Sequence, residues 1–116
     1  MAISVVVMVG ETGEWVSEIT EKAKTLKVGA GWDASTDIAP LNNKGLKERV
    51  VNLINIAEKE GAKIILDGRN PKMPAELASG NFVGPTILDN CTEEMECYKT
   101  EIFGPVLNIV RVKTLD

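Results

Sequence analysis

Ile3-Ser4-Val5-Val6-Val7-Met8-Val9 is a nearly unbroken apolar and β-branched run closed by Gly10. It lacks the two-residue alternation of a strand with one wet face, so it predicts a strand covered on both faces, as parallel sheets require. A strand of that kind commits the chain to helices packed on both sides of a sheet.

The rest of the pattern is read against that commitment. Thr12 is placed to cap a helix in which Trp15, Val16, Ile19 and Ala23 fall at helical spacing, with Glu14, Glu18, Glu21 and Lys22 facing out. Val28 to Asn43 has no sustained period and reads as a long loop, a kind of segment that often carries function. A second helix is predicted from about Gly45 to Glu60, with Leu46, Val50, Leu53, Ile54 and Ala57 on one face and Gly61 to stop it. Lys63 to Leu66 reads as a short strand and residues 69 to 81 as a surface excursion. Phe82 to Leu88 is read as extended, with Pro85 arguing for an edge or a bend. A helical turn near Glu93 to Cys97 and a last strand, Val106 to Val112, complete an α/β order with a mostly parallel sheet and flanking helices. Two good helices would leave part of such a sheet bare, each uncovered apolar side chain forgoing roughly 1.5–3 kcal/mol. Partner surface is expected to lie outside residues 1–116.

Thirteen basic and 17 acidic residues give a net charge of −4, which offers no cationic surface to nucleic acid. The longest apolar runs fall far short of the ~20 residues that cross a bilayer as a helix, so no membrane partner is expected. With no histidine in the chain, Ser-His-Asp and Cys-His nucleophiles are excluded, and no metal site is expected from Cys91 and Cys97, which read as two reduced thiols. Gly29-Ala30-Gly31-Trp32-Asp33-Ala34 spells a dinucleotide fingerprint, but a helix end precedes it and Ser35-Thr36-Asp37 and Pro40 follow, so the context for phosphate binding is wrong. Glu93, Glu94 and Glu96 read as a solvated face. Glu101 differs, because it stands directly before the apolar turn Ile102-Phe103-Gly104-Pro105, which would hold one carboxylate in a fixed place; structural and functional roles both stay open for it.

Glu101-Ile102-Phe103-Gly104-Pro105-Val106 resembles the E-I-F-G-P-V stretch of the aldehyde dehydrogenase superfamily. Gly80-Asn81-Phe82-Val83-Gly84-Pro85-Thr86-Ile87 is similar to the segment just upstream in that family. Cys97-Tyr98-Lys99, Lys47-Glu48-Arg49-Val50 and Ile65-Leu66-Asp67-Gly68-Arg69 resemble its acylating methylmalonate-semialdehyde branch. Gly45, where the branch often has glutamine, and Ala39, where glycine is usual, depart from the pattern.

The resemblance implies that residues 1–116 are part of a catalytic domain starting just after the nucleophilic cysteine, with Met1-Ala2 matching the two residues that follow it. No catalytic residue then falls in the chain, and the 116 residues alone are expected to be inactive. In the parent, a thiolate would attack the aldehyde, hydride would pass to NAD, and the thioester would be released to coenzyme A with loss of carbon dioxide. Glu101 matches the residue whose carboxylate accepts hydrogen bonds from the nicotinamide ribose, and Phe103 the ring that packs on it. The parent is expected to be a homo-oligomer, mitochondrial in a eukaryote and cytoplasmic in a bacterium. The competing readings are a stand-alone α/β interaction module derived from this fold, and a non-acylating aldehyde dehydrogenase.

Overall fold

The computed structural model describes residues 3–116, and the expectation for Met1-Ala2 lies outside them. Four strands, β1 (Val5–Val9), β2 (Lys63–Leu66), β3 (Thr86–Asp89) and β4 (Val106–Val112), form one sheet in the order β1-β4-β3-β2. β4 runs parallel to both β1 and β3, while β2 is antiparallel to β3 with a register slip between Ile64 and Leu66. The sheet is therefore mixed, parallel in its centre and at the β1 edge.

Helices cover both faces. α2 (Lys44–Glu60) and α3 (Glu96–Lys99) lie on one, α1 (Val16–Lys24) on the other. Alternation along the strands sorts the core: Ile64, Leu88, Val106 and Val110 meet Val50, Leu53, Ile54 and Ala57 of α2, whereas Ile65, Ile87, Leu107 and Ile109 join Met8, Val16, Ile19 and Ala23. Ile54, Leu88 and Ile109 are fully enclosed, positions where truncation to alanine typically costs about 2–5 kcal/mol.

α2 forms as its sequence predicts. The Asn43 side chain accepts from the Leu46 N–H at 2.9 Å at its start, and Gly61, at φ 107°, closes it in the left-handed conformation that a side chain would strain. The Glu60 carboxylate then accepts from the Glu96 N–H at 2.9 Å, so the end of α2 caps the start of α3.

Several expectations are corrected. Gly10–Trp15 is a 3-10 segment, and α1 begins only at Val16. Thr12 does not cap that helix; its hydroxyl reaches back, accepting from the Val9 N–H at 2.8 Å and donating to the Val9 carbonyl at 3.0 Å. With the first turn wound more tightly, Trp15 rotates out of the core and is 62% exposed. Within the described residues β1 stands at the edge of the sheet with Val7 half exposed, so they do not themselves supply the cover expected on both of its faces. β3, by contrast, is interior and fully buried, because Pro85 stands just before it and removes no ladder hydrogen bond. The final helical turn lies at Glu96–Lys99, slightly later than its charge pattern suggests. Ile3, Val7, Trp32 and Leu115 leave apolar surface exposed.

Candidate functional site

The connection from α3 to β4 carries Glu101 and Phe103 outward and Ile102 inward. Ile102 is buried in the core beside α2, whereas Phe103 is 72% exposed and Glu101 is exposed as well. Two successive side chains on opposite sides are what an extended backbone provides. The turn comes at Phe103, whose φ of 58° puts it in the left-handed region, at a cost of roughly 1–2 kcal/mol for a residue with a Cβ.

Three contacts hold that conformation. Ile102 is sunk among core side chains. The Arg49 guanidinium on α2 donates to the carbonyl of Ile102 at 2.6 Å and to that of Glu101 at 2.7 Å. Gly104 lies so close to α2 that an added Cβ would stand 2.9 Å from a Val50 methyl, so the backbone can approach there only without a side chain. One turn of α2, Arg49 and Val50, thus grips the Glu101–Gly104 segment from the side while leaving its two outward side chains free. Among the described residues the Glu101 carboxylate makes no ion pair.

Because β1, β3 and β4 are parallel, the segments that enter them lie along one edge of the sheet. Ile3 ahead of β1, Pro85 ahead of β3, and Gly104 and Pro105 ahead of β4 accordingly line one cleft of about 270 Å³. The Asn108 N–H donates to the Ser4 carbonyl at 2.9 Å and fixes this end of β1 against β4. Next to the cleft, Phe103 forms one wall of a second groove of about 370 Å³ with Pro40, Leu41, Asn42, Leu46 and Arg49.

The long loop supplies the far wall of that groove, and its polar residues pin it. The Lys27 N–H donates to Asp37 at 2.8 Å, the Ser35 N–H donates to Asp33 at 2.9 Å, and the Lys27 ammonium reaches Asp33 at 3.0 Å. The Ser35 hydroxyl and N–H, with Lys27 beside them, pull the Asp33 carboxyl down to about 2. The Leu41 N–H donates to the Asn81 carbonyl at 2.9 Å and ties the loop to the 69–81 excursion. Gly29 to Ala34 lie inside this loop, with neither a strand before them nor a helix after them.

A larger groove, about 420 Å³, runs between α2 and the excursion past Lys44, Lys47, Asn52 and Arg69. Its best-fixed cation is already neutralised: Arg69 donates to Asp67 and, at 2.9 Å, to Glu58. The Phe103 groove is the better candidate, because an exposed ring lines it and the Glu101 carboxylate, which makes no ion pair among the described residues, stands two residues away on the same clamped backbone. Arg49 was legible in the sequence only as part of Lys47-Glu48-Arg49-Val50; its role rests on contacts more than fifty residues away along the chain.

The aldehyde dehydrogenase family model matches residues 1–116. The chain belongs to the aldehyde dehydrogenase family. It is 51% identical, over its whole length, to the acylating methylmalonate-semialdehyde/malonate-semialdehyde dehydrogenase, mitochondrial, of Rattus norvegicus, and covers 22% of that relative. The chain thus spans about a fifth of the length of the aldehyde dehydrogenases it matches. Its fold superimposes on the crystal structure of the methylmalonate-semialdehyde dehydrogenase of Oceanimonas doudoroffii with a TM-score of 0.93 and 45% identity, over 98% of this chain and 24% of the other. The betaine aldehyde dehydrogenase of Staphylococcus aureus, solved in complex with NAD+, superimposes with a TM-score of 0.88 and 26% identity, over 96% of this chain and 22% of that one.

Proposed function

We propose that residues 1–116 are one part of the catalytic domain of an NAD-dependent, acylating aldehyde dehydrogenase that oxidises methylmalonate or malonate semialdehyde to an acyl-CoA, and that Glu101 and Phe103 orient the nicotinamide ribose. The observation that carries the reading is the clamped turn: a carboxylate and an aromatic ring, both facing solvent, on a strained backbone that α2 holds still. Strain of this kind persists where the surroundings over-determine it, and it clusters at ligand clamps.

The residues present fit a ribose. Its vicinal hydroxyls are donors that need an acceptor, which a free carboxylate at Glu101 supplies, and its flatter apolar face suits the exposed ring of Phe103. The adjoining groove, about 370 Å³, is in the range of ligand pockets and suits part of a dinucleotide rather than the whole. When bound, NAD supplies the hydride acceptor. What this chain contributes is orientation, fixing the sugar so that the ring attached to it presents one carbon to the substrate. The cleft shared by Ile3 and Gly104-Pro105 supports the same reading, since it brings the segment that enters β1 to the end of the sheet that bears this turn. The remaining domain would cover the apolar surface at Ile3, Val7 and Leu115. Compartment follows the source, mitochondrial in a eukaryote, as the rat relative is described, and cytoplasmic in a bacterium.

The test is a pair of substitutions in the enzyme that carries this chain. Glu101→Gln and Phe103→Ala should each raise the NAD Kd and KM while leaving the aldehyde KM within about twofold. NAD affinity unchanged in both variants would overturn the assignment. Turnover that proceeds at full rate without coenzyme A would overturn the acylating part alone.

A further inference from the structure

Cys91 and Cys97 are separated by five residues in sequence, and neither enters the site above. In the fold their sulfurs lie 3.9 Å apart, both side chains almost wholly enclosed. We infer that this pair is a site of reversible oxidation, which closes to an intramolecular disulfide when the protein meets a peroxide.

The sheet sets the pair's spacing. The Cys91 N–H donates to the Ile109 carbonyl at 2.9 Å, and the Cys97 carbonyl accepts from the Asn108 side-chain amide at 2.9 Å, so adjacent residues of β4 hold both backbones. A disulfide needs its sulfurs at ~2.05 Å, so closing this gap takes a shift of about 2 Å, within the sweep of a side-chain rotation. Asn90, at φ 57°, turns the chain sharply into Cys91 and delivers it beneath α3. Among the described residues no third metal-ligating side chain joins the two thiols to make a metal cluster. Thr92, Glu93 and Glu94, which lie between the two cysteines in the chain, are exposed, and local opening of this short segment admits a small, uncharged oxidant.

The two sulfurs are unequal. The Cys91 S–H beside it holds the Cys97 thiol below its ordinary range, while the Cys97 sulfur and burial push Cys91 up. Cys97 is the attacking partner. Its thiolate sulfur bonds to one peroxide oxygen, the O–O bond breaks, and the departing hydroxide takes a proton to leave as water. The Cys91 sulfur then attacks the Cys97 sulfur, the S–S bond forms, the S–O bond breaks, and the Cys91 proton leaves with the second water. Two thiols lose two electrons and two protons in all, and the peroxide takes up both.

The experiment treats the intact enzyme with hydrogen peroxide, alkylates free thiols with iodoacetamide after denaturation, and digests with trypsin. Both cysteines fall in the single peptide 73–99, between Lys72 and Lys99. The expected product is that peptide without alkyl groups on either cysteine, lighter by about 2 Da than its dithiol form, and restored to a doubly alkylated peptide by prior dithiothreitol. Fragment spectra separate this loss from oxygen added at Met73 or Met95. The same digest of Cys91→Ser should show no mass loss. Recovery of the wild-type peptide doubly alkylated after peroxide, or with oxygens on either sulfur and no internal bond, would overturn the inference.

Discussion

Arg49→Ala removes the grip of α2 on the Glu101–Gly104 turn without touching either outward side chain. Two bonds are lost, to carbonyls at 2.6 and 2.7 Å. Hydrogen bonds to a charged group are worth about 1.5–3 kcal/mol each when shielded. Arg49 and the Glu101 carbonyl are both accessible to water, which replaces part of the interaction, so the pair is worth about 1–2 kcal/mol after screening. That is the same size as the cost of roughly 1–2 kcal/mol for Phe103 in the left-handed region. With the clamp gone the left-handed cost is no longer offset, and conformers in which the ring swings off the groove become the dominant population. NAD affinity should then fall by about 5- to 30-fold, the equivalent of that energy. Isothermal titration of the enzyme with NAD reads it directly, and Arg49→Lys should fall in between, because a point ammonium cannot reach both carbonyls with a planar fork. A Kd for Arg49→Ala within twofold of the wild type, in an enzyme whose Glu101→Gln variant does lose NAD, would refute the clamp while leaving the cofactor assignment standing.

Two further outcomes are expected. Asp89 is buried at the end of β3 and takes two bonds from Arg111 of β4, at 2.8 and 2.9 Å. Burial raises its carboxyl, but those bonds and the Asn90 N–H outweigh it and hold the pKa below the ordinary value. A depressed folded pKa contributes stability that is complete above the unfolded value and is lost as pH falls through the folded one. Asp89→Asn should therefore lower stability by about 2 kcal/mol at pH 7, with the half-exposed arginine moderating the loss. Its deficit against wild type should shrink as pH drops below the carboxylate range, as urea denaturation at pH 7 and pH 3 would show. The 116-residue polypeptide alone should form no NADH from semialdehyde, NAD and coenzyme A; a measurable rate by absorbance would contradict the view that the nucleophile lies elsewhere in the parent.

The two-faced core was legible because it is written in local periodicity: α2 carries Val50, Leu53, Ile54 and Ala57 at helical spacing, and β4 alternates cleanly between the two sides of the sheet. Trp15 was misread because its outward rotation depends on a tight first turn that Thr12 stabilises by reaching backwards, a choice between two hydrogen-bond patterns of similar energy. The edge position of β1 and the interior position of β3 could not be read at all, since strand order is fixed by pairings between distant segments, and Val5 to Val9 has the composition of either. At the site, Glu101 and Phe103 were marked by their motif, but Arg49 stayed hidden because an exposed arginine on a helix carries no signal of the carbonyls it will meet.

The parallel pairing of Val5 with Asn108 joins segments about a hundred residues apart. During synthesis at ~5–20 residues per second, β1 would emerge and wait roughly 5–20 s for its neighbour to be made. Over that interval the side of β1 that pairs with β4 lacks its partner, and contacts of such long range slow folding in any case. An unpaired strand edge of that kind is one that a nascent chain offers to other chains and that a chaperone would shelter.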